Sequence, residues 1–381
     1  MRRPLACTSL VFVMVLFLLQ SLGAMGLIKE PIAHEMDERD ILPSFLQENT
    51  IIVCGQVADY STDDQYGQTT TELNLKNIHI LPHNEELTKE KILSDKLSES
   101  GFISQFKTIG TKRQKILVYL QDEYAPVIGS YVIVSGQMSY FNRASNPGEF
   151  DAYRFYTNRG YLFAVKKAEV LKTAGSGNRI LQILKVFRLR QEAYLEAYLP
   201  EGNDSIMTAM LFGNKAGMDE ETKELYQKNG IAHILAISGL HISLLGMSVY
   251  KVLLHFPIPK WCILVISGMF LVLYCFMVGI SASAFRALVM FSFFLVSKWL
   301  KRSYDMITAM GFAAMVWLML YPGYLYDCGF QLSYAAIMGM GIVLPVLTEI
   351  TDFVKIKWLR KIISVFLPSL SVNLMTAPIL I

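Results

Sequence analysis

Between Asn229 and Leu245 the chain reads NGIAHILAISGLHISLL, apolar enough for a bilayer yet carrying His233, Ser238, Gly239 and His241 where a plain anchor would carry leucine. Polar groups at membrane depth are costly, about 2.5–3.5 kcal/mol for a charged side chain on insertion scales, and so tend to mark a pathway. On an unbroken helix at about 100° per residue, His233, His241 and Ser238 fall at roughly 0°, 80° and 140°, a single broad polar sector. If Ser238-Gly239 instead breaks the helix, a second half-helix starts at Gly239 and its free N–H groups attract anions such as phosphate. A plainer reading stands beside both: His233 lies at the interface, and Ser238 and His241 bond to neighbouring helices. Ser238 and His241 at i, i+3 can also touch, as in a polytopic membrane enzyme using His233, Ser238 and His241. No third residue is spaced to orient them, which weakens that alternative.

Three more polar residues fall in apolar surroundings: Arg286, Asp327 and Gln331. Arg286 sits about five residues, or roughly 7 Å at 1.5 Å per residue, inside an expected helix boundary. There it either snorkels outward or, facing a lumen, contacts phosphate, and Asp327 is placed to pair with it. A second constellation precedes the membrane part, where Arg143, Arg154, Arg159, Lys166 and Lys167 interleave with Tyr140, Phe141, Tyr153, Phe155 and Tyr156. Basic grooves with stacked aromatics bind single strands. The competing reading makes these aromatics barrel core.

The elements that must position these residues divide the chain. Its 381 residues are 53% hydrophobic, with mean hydropathy +0.37, too apolar for a soluble protein. The net charge of +3 is unevenly spread: residues 26–178 carry 16 Lys/Arg against 20 Asp/Glu, and residues 231–381 carry 10 against 4. Residues 1–28 read as a retained transmembrane helix, 29–47 as a charged linker, and 48–173 as a small barrel. The barrel strands are expected over 51–60, 69–81, 115–121, 130–141 and 161–171, five runs that suit an OB-fold. The helical-looking 84–100 falls between the second and third strands, where an OB-fold normally places its helix after the third. Residues 174–230 read as surface helices, of which 179–198 is basic and amphipathic and suited to an anionic bilayer.

Residues 231–381 hold six candidate spans, at 231–254, 261–279, 281–300, 306–321, 329–347 and 362–381. Basic residues collect in alternate connections: Lys251 and Lys260; Lys298, Lys301 and Arg302; Lys355, Lys357, Arg360 and Lys361. By the positive-inside rule these connections are cytoplasmic, which puts Arg2-Arg3 inside and the barrel outside. Small residues such as Ser281-Ala-Ser-Ala284, Gly339 and Gly341 allow close helix packing. The five cysteines show no CxxC or His/Cys metal spacing, so neither a metal nor a cofactor is expected.

The string HILAISGLHISLL closely resembles the signature of the ComEC-type competence family. Asn146-Pro-Gly-Glu-Phe-Asp151 with Arg159-Gly160, Ser283-Ala-Phe-Arg-Ala287 and Asp327-Cys-Gly-Phe-Gln-Leu-Ser-Tyr-Ala335 fit the same family in the same order. The resemblance implies a polytopic α-helical membrane protein with an extracytoplasmic OB-like β-barrel, residues 231–381 being part of a channel domain. It implies a bacterial inner-membrane location and transport of single-stranded DNA during natural transformation, with the bilayer and other DNA-uptake proteins as partners. Family members continue with further helices and often a metallo-β-lactamase-like domain, so this chain reads as a piece of a longer protein. None of its six histidines forms an H-x-H-x-D-H nuclease pattern, and it is not expected to be an enzyme. A third reading is a membrane-anchored OB-type binding module whose helices only hold it in place.

Overall fold

The computed structural model describes residues 50–65, 68–80, 107–108, 114–121, 124–146, 149–175, 177–200, 202–215, 217–229, 239–351 and 357–380. The N-terminal helix, the linker, the 84–100 stretch, His233 and Ser238 lie outside them. The chain forms two compact units, one taking in residues 32–236 and the other chiefly residues 237–381.

The first unit is a barrel. Strands β1 (Thr50–Gln65), β2 (Gln68–Ile80), β3 (Lys107–Thr108), β4 (Lys115–Leu120), β5 (Tyr131–Ser139) and β6 (Tyr161–Ala174) follow in chain order. They form a sheet ordered β1-β5-β6-β4-β2-β3, closed by a β1–β2 pairing. Five strands make the barrel and the two-residue β3 only extends the end of β2, at His79 and Ile80. The meander β1-β2-β4, followed by a strand that returns to lie beside β1, is a Greek key. The last strand closes the gap by running parallel to β4, at Lys115–Tyr161 and Val118–Val165. This is the five-stranded Greek-key closure of an OB-like barrel.

Alternation fills the interior. Val53, Val57, Leu73, Leu75, Ile116, Val118, Val132, Val134, Phe163 and Val165 are each no more than 1% exposed. Fully burying a side chain of this kind is worth about 1.5–3 kcal/mol, so a charge at any of them would open the barrel. On β6 the alternation fails at Lys166 and Lys167, which are both exposed. The pairing with β5 slips there, and Lys167 takes a left-handed φ of 50°. This is a bulge that turns two consecutive side chains outward.

Among the described residues four helices complete the unit: α1 (Ala152–Thr157), α2 (Arg179–Tyr198), α3 (Asn203–Phe212) and α4 (Glu220–Lys228). Asn178 caps α2, its Oδ1 accepting from Ile180 N at 3.0 Å and Leu181 N at 3.2 Å. The helix has the expected limits, but its polar stripe turns inward. Lys185 and Arg188 are 5% and 8% exposed. Lys185 Nζ donates to Asp59 Oδ1 at 2.8 Å and to the Tyr60 carbonyl, and Arg188 pairs with Glu192 at 2.8 Å. Ile180, Ile183, Phe187, Tyr194 and Tyr198 face out, each 51–82% exposed. Two of the helix's four basic residues are therefore spent inside the protein, while Arg179 and Arg190 stay exposed.

The second unit holds α5 (Gly239–Leu253), α6 (Lys260–Val278), α7 (Ala282–Trp299) and α8 (Met306–Leu320). A 3₁₀ turn (Pro322–Tyr326) then leads into α9 (Cys328–Met338), a π turn (Gly339–Val343), α10 (Leu344–Thr351) and α11 (Lys357–Leu380). Among the described residues four stretches are long and apolar enough to cross a membrane: 260–278, 282–299, 328–349 and 362–379. With the barrel, they make this a polytopic helical membrane protein carrying a β-barrel domain. Of the six expected spans, two are not among these: α8, whose 15 residues reach about 22 Å at 1.5 Å per residue against a ~30 Å hydrocarbon core, and 231–254, of which the described residues hold only the 15-residue α5. Helix α7 is the hub, packing against α5, α8 and α9.

Candidate functional site

Of the candidate residues in the helical unit, Gly239 and Arg286 come together. Ser281 caps α7, its Oγ accepting from Ala284 N at 3.2 Å, and the helix so started carries Arg286 into the middle of its neighbours. Arg286 is 7% exposed. Its Nη1 donates to Ser333 Oγ, and its guanidinium carbon stands 5.4 Å from the ring centroid of Tyr334. On the α5 side it lies against Gly239, where an added Cβ would stand 2.7 Å from Nη2. Only a residue without a side chain admits the guanidinium so close to the start of α5.

The expected Arg286–Asp327 pair does not form; no ion pair of Arg286 is found among the described residues. Asp327 caps α9, its Oδ1 accepting from Phe330 N at 2.9 Å, a favourable place for a carboxylate at a helix N-terminus. Gln331 Nε2 donates to the Leu325 carbonyl at 2.7 Å, holding the 3₁₀ turn onto α9. Both residues therefore have local structural work beside the site. His241 is on the third position of α5 and partly buried.

Sequence reasoning passed over Ser333 and Tyr334, the two side chains that meet Arg286. The signal was present: Tyr334 follows Asp327 and Gln331 at i+7 and i+3, one stripe of α9. A tyrosine in an apolar helix reads as core, and Tyr334 does stack on Phe330 at 4.3 Å.

In the barrel unit, most of the second constellation gathers around α1. Asp151 caps this helix, accepting from Arg154 N at 2.8 Å. Glu149 Oε2 accepts from Ser145 N at 2.9 Å and Asn146 N at 3.1 Å, which folds the preceding loop. Gly160, at φ 83°, ends the turn and offers its carbonyl to Lys115 N at 2.8 Å. Glu149, Asp151 and Gly160 of the two motifs thus help build the platform.

On that platform Phe141 stacks on Tyr156 with centroids 4.3 Å apart. Arg143 lies 4.4 Å over the Tyr153 ring and Arg159 3.6 Å over the Phe155 ring. Phe150 stays 65% exposed. Cations thus already cover two of the cluster's ring faces, as cation–π pairing favours. What it offers outward is guanidinium, from Arg143 and Arg154. Tyr140 instead packs against the barrel core. Lys166 and Lys167 are set apart at the β6 bulge, about 16 Å from Tyr161 at ~3.3 Å per residue. Among nearby groups, burial pushes the Lys115 ammonium down, with Asp59 opposing and Lys76 reinforcing. Burial, with Glu72 and Tyr156 nearby, pushes the Tyr119 phenol up. Tyr119 therefore stays protonated at neutral pH.

Residues 210–381 match the family described as competence protein. The chain is 27% identical over 233 residues to ComE operon protein 3 of Bacillus subtilis (strain 168), covering 61% of this chain and 29% of that protein. It is 29% identical over 172 residues to Recombination protein 2 of Haemophilus influenzae, covering 42% of this chain and 21% of that one. The chain thus spans less than a third of the length of these curated relatives. No solved structure matches it.

Proposed function

We propose that this chain, whose residues 210–381 match the competence protein family, takes part in DNA uptake during competence as a ComEC-type protein, passing single-stranded DNA inward across the bacterial inner membrane. The observation that carries this reading is the family match, which spans the whole described helical unit. In this role the barrel stands on the outer side, the positively charged connections lie in the cytoplasm, and other uptake proteins deliver the strand. The exposed apolar stripe of α2 rests on the bilayer. The role is transport and not hydrolysis, in keeping with the lack of a nuclease motif in the sequence.

A moving strand needs weak, repeated contacts, since a site that binds tightly stalls it. Imidazole, hydroxyl and backbone N–H groups from 233–241 suit that better than a ring of lysines. One arginine adds the attraction that draws phosphate in. The arginines around α1 provide a first, salt-sensitive contact outside.

The test introduces Arg286→Gln and His241→Leu separately at the chromosomal copy and follows labelled DNA. Each variant is expected to accumulate at the normal level and to leave surface DNA binding intact, while import falls at least about tenfold, the effect of roughly 1.4 kcal/mol. Normal accumulation with import at the unmodified rate would overturn the reading.

A further inference from the structure

Two stretches far apart in the chain, Ser283–Ala287 and Gln331–Ala335, meet at one buried point, and the strongest groups they bring there are donors. Arg286 gives one N–H to Ser333. Tyr334, whose ring centroid lies 5.4 Å from the same guanidinium carbon, has a buried hydroxyl with no hydrogen-bond partner among the described residues. No carboxylate of the described residues pairs with Arg286. Arginine keeps its charge in any protein setting. A buried charge left uncompensated costs several kcal/mol, and a buried hydroxyl without a partner about 1–3 kcal/mol more. Arg286 nevertheless keeps 7% of its surface accessible.

A single ligand answers both needs: an anion with more than one acceptor oxygen. The planar guanidinium matches two oxygens of a phosphate, and a tyrosine hydroxyl beside it supplies a further donor. The Trp317 indole N–H, in the same aromatic cluster as Tyr334, is a third buried donor without a partner among the described residues. Donors set among aromatic rings suit a diffuse monoanion better than a compact, strongly hydrated one. Gly239 keeps the α5 side of the guanidinium clear of any side chain.

We propose that Arg286 and Tyr334 form a binding site for a phosphodiester group, with Arg286 holding the anionic oxygens and Tyr334 donating its hydroxyl. This rests on the transport reading, which makes the phosphodiester that of a single strand. A phospholipid headgroup offers the same chemistry.

The full chain, purified in a neutral maltoside detergent, is titrated with a short fluorescein-labelled oligodeoxythymidylate over a range of salt. Arg286→Gln is expected to weaken binding about tenfold and to lower the salt slope by about 0.7, one phosphate contact on a single strand. Tyr334→Phe is expected to weaken it about threefold with the slope unchanged, as for a lost neutral hydrogen bond. A methylphosphonate strand, which has no charge, should bind both chains alike. Should Arg286→Gln fail to fold, Arg286→Lys takes its place, keeping the slope but losing affinity with the planar fork.

The lipid arm measures thermal stability with phosphatidylglycerol added. Stabilisation lost in the Arg286 variant, with oligonucleotide binding unmoved by it, would assign the site to a headgroup and sink the strand reading while the phosphodiester site stands. Folded Arg286 and Tyr334 variants that match the unmodified chain in both arms would overturn the site itself. Loss of oligonucleotide binding with normal import in cells would keep the site and remove its transport role.

Discussion

At the scale of single residues, two glycines make the most specific demands. An added Cβ at Gly239 meets Arg286 Nη2 at 2.7 Å, and one at Gly339 meets the Ser371 carbonyl oxygen at 2.5 Å. Glycine to alanine in an unstrained helix usually stabilises by about 0.4–1 kcal/mol, and both sites should depart from that in different ways. At Gly239 the obstacle is the end of a long side chain that can swing away. Gly239→Ala should accumulate normally and lose import roughly as far as Arg286→Gln does, because the guanidinium has left its place. At Gly339 the obstacle is backbone of α11, which cannot yield without separating two helices, at a cost of about 1–3 kcal/mol. Gly339→Ala should therefore lower the protein level, seen by immunoblot, whatever the import per molecule. Normal import by Gly239→Ala would break the link between glycine and arginine.

At the scale of elements, the strands were legible because alternating burial is written directly in a period of two, and five barrel strands stand where five were expected. The closure of β6 onto β4 was not, since it depends on pairing distant in sequence. Helix α2 shows the same limit from the other side. Its periodicity announced a polar stripe and an apolar stripe, but which of them faces the protein is decided by Asp59 and the Tyr60 carbonyl, more than a hundred residues away. Likewise Arg286 stood out in its motif, while its partners on α9 looked like ordinary core. The inverted helix carries its own prediction. With Ile183 and Phe187 at 67% and 52% exposure and Arg179 and Arg190 also exposed, the outer stripe suits an anionic bilayer surface. Spin labels at positions 183 and 187 of the full chain, in bilayers containing phosphatidylglycerol, should be more accessible to oxygen than to a water-soluble nickel complex. A label at 196 should show the reverse. Equal accessibility at all three positions would leave the stripe in water.

At the scale of the whole molecule, the proposed orientation rests on where positive charge is placed. The connection between α7 and α8 carries Lys301 and Arg302, and α11 opens with Lys357, Arg360 and Lys361, whereas the connections α6–α7 and α8–α9 contain no Lys or Arg. Cytoplasmic connections hold lysine and arginine because these resist translocation. The short α8 does not break the alternation, because the 3₁₀ turn Pro322–Tyr326 prolongs it before α9 begins. A cysteine scan tests this, and the structure decides its positions. Tyr60, in a strand, is only 4% exposed and unsuited to labelling, whereas Ser145, on the loop before α1, is exposed. Cys328 is exposed and must be replaced beforehand. Cys54 can stay: it is buried in the barrel, where burial pushes its thiol up to about 11. The native state thus disfavours its thiolate, and no reagent that needs one reacts at neutral pH. That same shift has a sign for stability: from the ordinary thiol value of 9.0 up to about 11, the unfolded chain releases a proton the folded barrel keeps. The Cys54 contribution is whole below that window and declines as pH rises through it. The scan is therefore run near neutral pH, where the barrel is intact and Cys54 silent. A membrane-impermeant maleimide should label position 145 on intact cells, and positions 302 and 360 only after permeabilisation. Labelling of 302 on intact cells would invert every crossing at once, put the arginines around α1 in the cytoplasm, and leave an incoming strand nothing to meet there.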